Sequence, residues 1–92
     1  MLEKEIENKT KLYAISKGWL MYKWTSPARI AVPDDILISP TGKVIFIEFK
    51  QLGKKPTVMQ EREHTRMRNN CATVYVVDSL EMGKGIIDAL NQ

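Results

Sequence analysis

A single cysteine, Cys71, stands in the 92 residues, so no disulfide can form within the chain. No apolar run approaches the roughly 18 residues that a membrane span requires, and no signal peptide opens the chain. These absences together predict a cytoplasmic protein with no membrane partner. Repeats, low-complexity tracts and linker-like stretches are missing as well. One domain over residues 1–92 is therefore expected. A chain this short buries only about two thirds of its unfolded surface, which favours a homo-oligomer.

Acid is scarce over long stretches. Residues 11–29 carry four basic residues and no acidic one, and residues 43–70 carry seven basic against three acidic. Between them, the only charges in residues 30–42 are Asp34 and Asp35. The net charge is +3, with two basic segments flanking an acidic spot. Such a surface suits nucleic acid, although solvated charge explains it as simply. Apolar content of 43% is ordinary for a globular protein and too high for a disordered one.

What is present orders as α-β-β-β-α-β-α. Residues 2–17 read as a helix with Leu2, Ile6, Tyr13 and Ala14 on one face, widened by Leu12 and Ile15. Gly18 stops it. "WLMYKWT" (19–25) suits a strand, and "SPARIAVP" (26–33) is a loop closed by proline at both ends. "DILIS" (35–39), "PTG" (40–42) and "KVIFIEF" (43–49) make a strand, a turn and a strand. "LGKKP" (52–56) is a basic loop, and Thr57 caps a helix running to about Asn69. Asn69 or Asn70 can take the left-handed cap position. "ATVYVVD" (72–78) is a buried strand, and Ser79 caps a last helix. The apolar face of that helix, Ile86, Ile87 and Leu90, either covers the sheet or meets a second subunit. Cys71 reads as a small buried residue, and Trp19, Trp24 and the methionines as core or interface. A helix between the last two strands makes them parallel, while short connections make the first three an antiparallel meander. The fold class is α/β, a mixed sheet with helices packed on it.

The stretch "VIFIEFKQLGKKP" (44–56) puts Glu48 and Lys50 on one face of an apolar strand. An unpaired charge there is costly. Ile47 and Phe49 face the core, so the other face opens into a cleft near the strand's end. The hairpin through Thr41 and Gly42 brings Asp34 towards Glu48. Two neighbouring carboxylates repel, and a divalent cation relieves that repulsion. Hard oxygen ligands suit Mg²⁺ or Mn²⁺. Such an ion activates water and neutralises phosphodiester charge, and Lys50 can orient the hydroxide or stabilise the developing charge. Alone, E-x-K fits a salt bridge on a half-exposed strand equally well.

"VPDDILISPTGKVIFIEFK" resembles the PD-(D/E)xK nuclease signature. With "EKEIENK", "SPARIAVPDD", "QEREHTRMRNN" and "VYVVDS" in order, nearly the whole chain is similar to the virus-type replication–repair nuclease branch, VRR-NUC, in its compact phage form. The resemblance implies a restriction-endonuclease-like αβββαβ core. It implies Asp34 and Glu48 as metal ligands with the carbonyl of Phe49 as a third, Lys50 as the catalytic lysine, and Gln60 as its positioner or a phosphate contact. Glu3 is the implied N-terminal glutamate, with Glu5 and Glu7 as alternatives that also fit exposed helix charges. His64 is implied to pack or touch phosphate. Ala31 replaces the family's glycine, and Asp35 stands where a basic residue is usual, structural or facing solvent. Lys23, Ser26, Arg29, Lys54 and Lys55 would surround the cleft, with Arg62, Arg66 and Arg68 on the next helix, and hold DNA backbone. The implied activity is metal-dependent cleavage of branched DNA, four-way (Holliday) junctions first, by a homodimer. Flap or nick cleavage and a non-catalytic nucleic-acid-binding module are the alternatives.

Overall fold

The computed structural model describes residues 1–91. The elements run α1 (Glu3–Ser16), β1 (Leu20–Lys23), β2 (Asp35–Ile38), β3 (Val44–Phe49), α2 (Val58–Asn69), β4 (Val74–Val77) and α3 (Leu80–Leu90). The sheet order is β1-β2-β3-β4. The first two pairings are antiparallel and β3–β4 is parallel, as the connections require. Gly42, at φ +88°, turns the β2–β3 hairpin. The Ser39 hydroxyl braces it by accepting from the Thr41 and Lys43 amides. The resulting register sets Asp35 opposite Ile47, so Asp34 arrives beside the end of β3.

Alternation divides the sheet into two faces. Met21, Leu37, Ile45, Ile47, Phe49 and Val77 form a buried core with Ile6, Ala14, Trp19 and Ile87, beneath α1 and α3. Ile86 and Leu90 pack against this core beside buried Ile87, so the last helix turns these residues to the sheet. On the opposite face α2 crosses the β3–β4 side. There Leu20, Tyr22 and Val44 stay exposed beside half-buried Ile36, Ile38 and Phe46. Trp24 lies against Phe46 with ring centroids 5.3 Å apart.

The buried line of α1 is Ile6, Thr10 and Ala14, spaced four apart. Leu2, Leu12 and Ile15 are exposed, against expectation. The cause is distant: Thr10 abuts Gly83, where a Cβ would fall 2.5 Å from its Oγ1, so α3 approaches along that line. Met21 joins the core, whereas Met1, Met59 and Met82 are exposed.

Both longer helices end in Schellman motifs. In α1, Gly18 is left-handed, and Trp19 N–H donates to the Ala14 carbonyl. In α2 the left-handed residue is Cys71, at φ +67°, and Ala72 N–H donates to the Met67 carbonyl. Neither asparagine takes that role, because the helix runs through Asn69 and Asn70 is its cap. Cys71 is consequently exposed at the corner, not buried. Cys71→Gly is expected to stabilise the protein by about 1 kcal/mol, because a left-handed L-residue costs roughly 1–2 kcal/mol. Thermal unfolding checks it, and an unchanged or lower midpoint contradicts it.

Candidate functional site

The site begins with strand alternation. Ile47 and Phe49 point into the core, which turns Glu48 and Lys50 to the α2 side. Asp34 precedes β2, and its Oδ2 accepts from the Phe49 amide at 2.8 Å. This bond binds the mouth of the hairpin and fixes the carboxylate. The first turn of α1 adds Glu3. One oxygen each of Glu3, Asp34 and Glu48 lies within 4.8 Å of the others. Glu48 is 1% exposed, Asp34 half-buried and Glu3 exposed, so the cluster opens outward. Lys50 Nζ stands 3.9 Å from Glu48 Oε2.

Helix α2 addresses the same glutamate. Thr57 accepts from the Gln60 amide at 3.2 Å, and Gln60 Oε1 accepts from the Thr57 amide at 2.9 Å. This capping box fixes the Gln60 side chain and turns its Nε2 to Glu48 Oε2, 3.2 Å away. One turn on, buried His64 places Nε2 3.7 Å from Glu48 Oε1, and neither atom has a hydrogen-bond partner. Residues four apart on one helix thus face the two oxygens of one carboxylate. Burial, with the charges of Arg68 and Lys50, lowers the His64 pKa, so the ring is neutral at pH 7.

Burial and the charge of Asp34 push the Glu48 carboxyl up to about 8, against the pull of Lys50. Without a cation, Glu48 keeps its proton at neutral pH; a bound cation reverses that balance. Affinity for Mn²⁺ is therefore expected to rise up to about tenfold per pH unit towards pH 8 and to level off above it. Titration calorimetry from pH 6 to 9 checks this, and a flat profile refutes it.

A second carboxyl pair lies under α1. Asp35 is 3% exposed, so it does not face solvent. It meets Glu7, which is half-buried and bonded to Lys23 Nζ at 2.8 Å. Burial and Glu7 push the Asp35 carboxyl up to about 8. Burial also works to raise Glu7, but its bonds to Asp35 and Lys23 outweigh that and lower it. The shared proton therefore sits on Asp35. Glu7 is not the free helix charge expected of it. Glu5 is exposed, its Oε1 accepting from the Leu2 amide at 3.3 Å.

The remaining basic residues fall into two groups. Arg29 donates through Nε and Nη2 to Glu63 Oε1, at 3.0 and 2.9 Å. With Arg62 and Arg66 it lines a pocket of about 360 Å³. Lys54 and Lys55 are exposed in the loop after β3, which is pinned by the Gly53 amide to Asp78 at 3.2 Å. Ser26 is half-buried on the loop before Asp34. Arg68 points elsewhere, donating to the Val74 carbonyl at 2.6 Å. The Asp35–Glu7 pair, the His64–Glu48 approach and the Arg29–Glu63 pair are new to the structure. The four-residue spacing of His64 from Gln60, which puts both on one helix face, is a signal that could have found the second.

No family model matches the chain. Over 74 residues it is 43% identical to a protein of Acyrthosiphon pisum secondary endosymbiont phage 1 named "Putative nuclease p44", a match covering 80% of this chain and 78% of that one. A solved structure described as a VRR_NUC domain is 31% identical and superposes with a TM-score of 0.87 over 96% of each chain.

Proposed function

The chain belongs to the VRR-NUC nuclease family, and on that footing we propose that it is a divalent-metal-dependent endonuclease that cuts branched DNA as a homodimer, four-way junctions first. The observation that carries the chemistry is the convergence of Glu3, Asp34 and Glu48 within 4.8 Å, with Lys50 beside them. The set fits Mg²⁺ or Mn²⁺: the donors are hard oxygens, and the buried Glu48 Oε1 has no partner. Asp34, Glu48 and Glu3 would hold the ion. The Phe49 carbonyl would join them, since its own amide already turns to Asp34. When bound, the cation lowers the pKa of a water and neutralises phosphate charge. Lys50 orients that water or meets the developing negative charge. Gln60 holds Glu48 in place through its Oε2, and His64 packs beside the other oxygen.

Lys54, Lys55, Arg62 and Arg66 carry exposed charges for the phosphate backbone, and Ser26 offers a hydroxyl. Lys23 and Arg29 stand at the edges of this surface, each also holding a carboxylate. The apolar strand face of Leu20, Tyr22 and Val44 supports a second copy docking there. Among the described residues no helix is long and apolar enough to cross a membrane. The likeness to a phage protein supports placing the enzyme in the host cytoplasm.

The test is a labelled immobile four-way junction beside linear duplex, a flap and single strands, in Mg²⁺, Mn²⁺ or EDTA. Paired, metal-dependent cuts in the junction are expected. Tight binding without cutting in either metal would overturn the reading.

A further inference from the structure

The pocket that Arg29, Arg62 and Arg66 line is built from the loop before β2 and from α2. Its lining combines three chemistries. Ala28, Ile30, Ala31 and Met59 are apolar, Arg62 and Arg66 bring guanidinium groups, and Glu63 is a buried carboxylate held by Arg29. Ile30 is 71% exposed and Met59 is 52% exposed. Singly such residues need no explanation, but here two of them frame one cavity among arginines. Ala31, next to Ile30, holds φ at +66°, a conformation that a residue with a side chain resists.

We propose that this pocket receives one unstacked nucleobase of the DNA, next to the phosphate that is cut. The inference rests on the nuclease reading above. A nucleobase is flat and apolar on its faces, polar along its edge, and tethered to phosphate. Methionine, isoleucine and guanidinium planes suit the faces. A carboxylate accepts from amino or imino groups on the edge. Arginines take the attached phosphates.

The place is right for this. Met59 precedes Gln60 and Glu63 precedes His64, the two residues that address Glu48. The loop itself runs through Pro33 into Asp34. Both walls of the pocket are thus continuous with the metal cluster. A base stacked within an intact duplex does not reach such a pocket, whereas a base at a branch, flap or mismatch leaves the stack readily. Selection of branched DNA then follows without reading sequence.

The experiment places 2-aminopurine, in separate oligonucleotides, at each position flanking the cleaved phosphate of the junction. Lys50→Ala protein is used so that the DNA is bound but left whole. Fluorescence is expected to rise at one position on the junction and at none on linear duplex. Adding Ile30→Ser and Met59→Ser should abolish the rise. In the otherwise wild-type enzyme the same pair should slow junction cutting about tenfold. Unchanged Mn²⁺ affinity and unfolding midpoint establish that this protein is folded. No rise at any position, or a rise that survives the two substitutions, overturns the proposal. Failure of the nuclease reading is separate: wild-type protein would then cut nothing in Mg²⁺ or Mn²⁺.

Discussion

Lys50→Ala is expected to slow DNA cleavage by about 10²–10³-fold while the fold stands. The side chain is largely sheltered, and its ammonium lies 3.9 Å from Glu48 Oε2. Two effects on metal binding oppose each other. Losing the ammonium removes a pull that lowers the Glu48 pKa, so at pH 7 more of Glu48 holds its proton. It also removes a positive charge that repels the incoming ion. At pH 9, above the wild-type Glu48 value of about 8, the first effect shrinks while the second remains, and Mn²⁺ affinity relative to wild type should rise from its pH 7 value. Cleavage and calorimetry at pH 7 and 9 separate the two. A variant that cuts within threefold of wild type removes Lys50 from the chemistry.

Asp34→Asn is expected to weaken Mn²⁺ binding at least about tenfold and to take cleavage down with it. The change is nearly isosteric. The amide oxygen can still accept from the Phe49 amide, so the hairpin mouth stays closed. Burial, the larger push on Glu48, remains, but the charge of Asp34 that adds to it disappears, and the Glu48 pKa should fall from about 8. The metal-free variant should therefore be no less stable than wild type. Asp34→Ala removes the acceptor as well and should lose about 1–2 kcal/mol. Calorimetry and thermal unfolding of both variants are the check. Undiminished Mn²⁺ binding by Asp34→Asn would sink its role as a ligand.

The elements and their order are legible in the sequence because their signals are local. Thr57 and Ser79 cap helices within three residues of themselves. The hairpin around Gly42 sets its own register. Asp34, Glu48 and Lys50 could be placed together because a short turn leaves few other geometries. What escaped depends on contacts far apart in the chain. Thr10 is buried and Leu12 exposed because Gly83, 73 residues on from Thr10, lets α3 come close. Asp35 alternates away from Asp34 as expected, but α1 covers that side and supplies Glu7 there. The helix ends at Asn69 as expected, but Asn70 is its cap and the left-handed corner falls one residue later, at Cys71, a difference that composition does not mark.

Gln60 closes the capping box with one end of its amide and faces Glu48 with the other. Fraying of the first turn of α2 would thus also release the glutamate. Opening of that turn and competence of the cluster are one equilibrium, and an ion held by Glu48 draws on the closed side. Mn²⁺ should slow amide hydrogen exchange at Gln60 and Glu61, whose amides reach back to Thr57, more than in the last turn of α2. Thr57→Ala, a change that touches no ligand, should weaken the ion and speed that exchange together. The start of an ordinary surface helix would then set how long the cluster stays assembled between encounters with DNA.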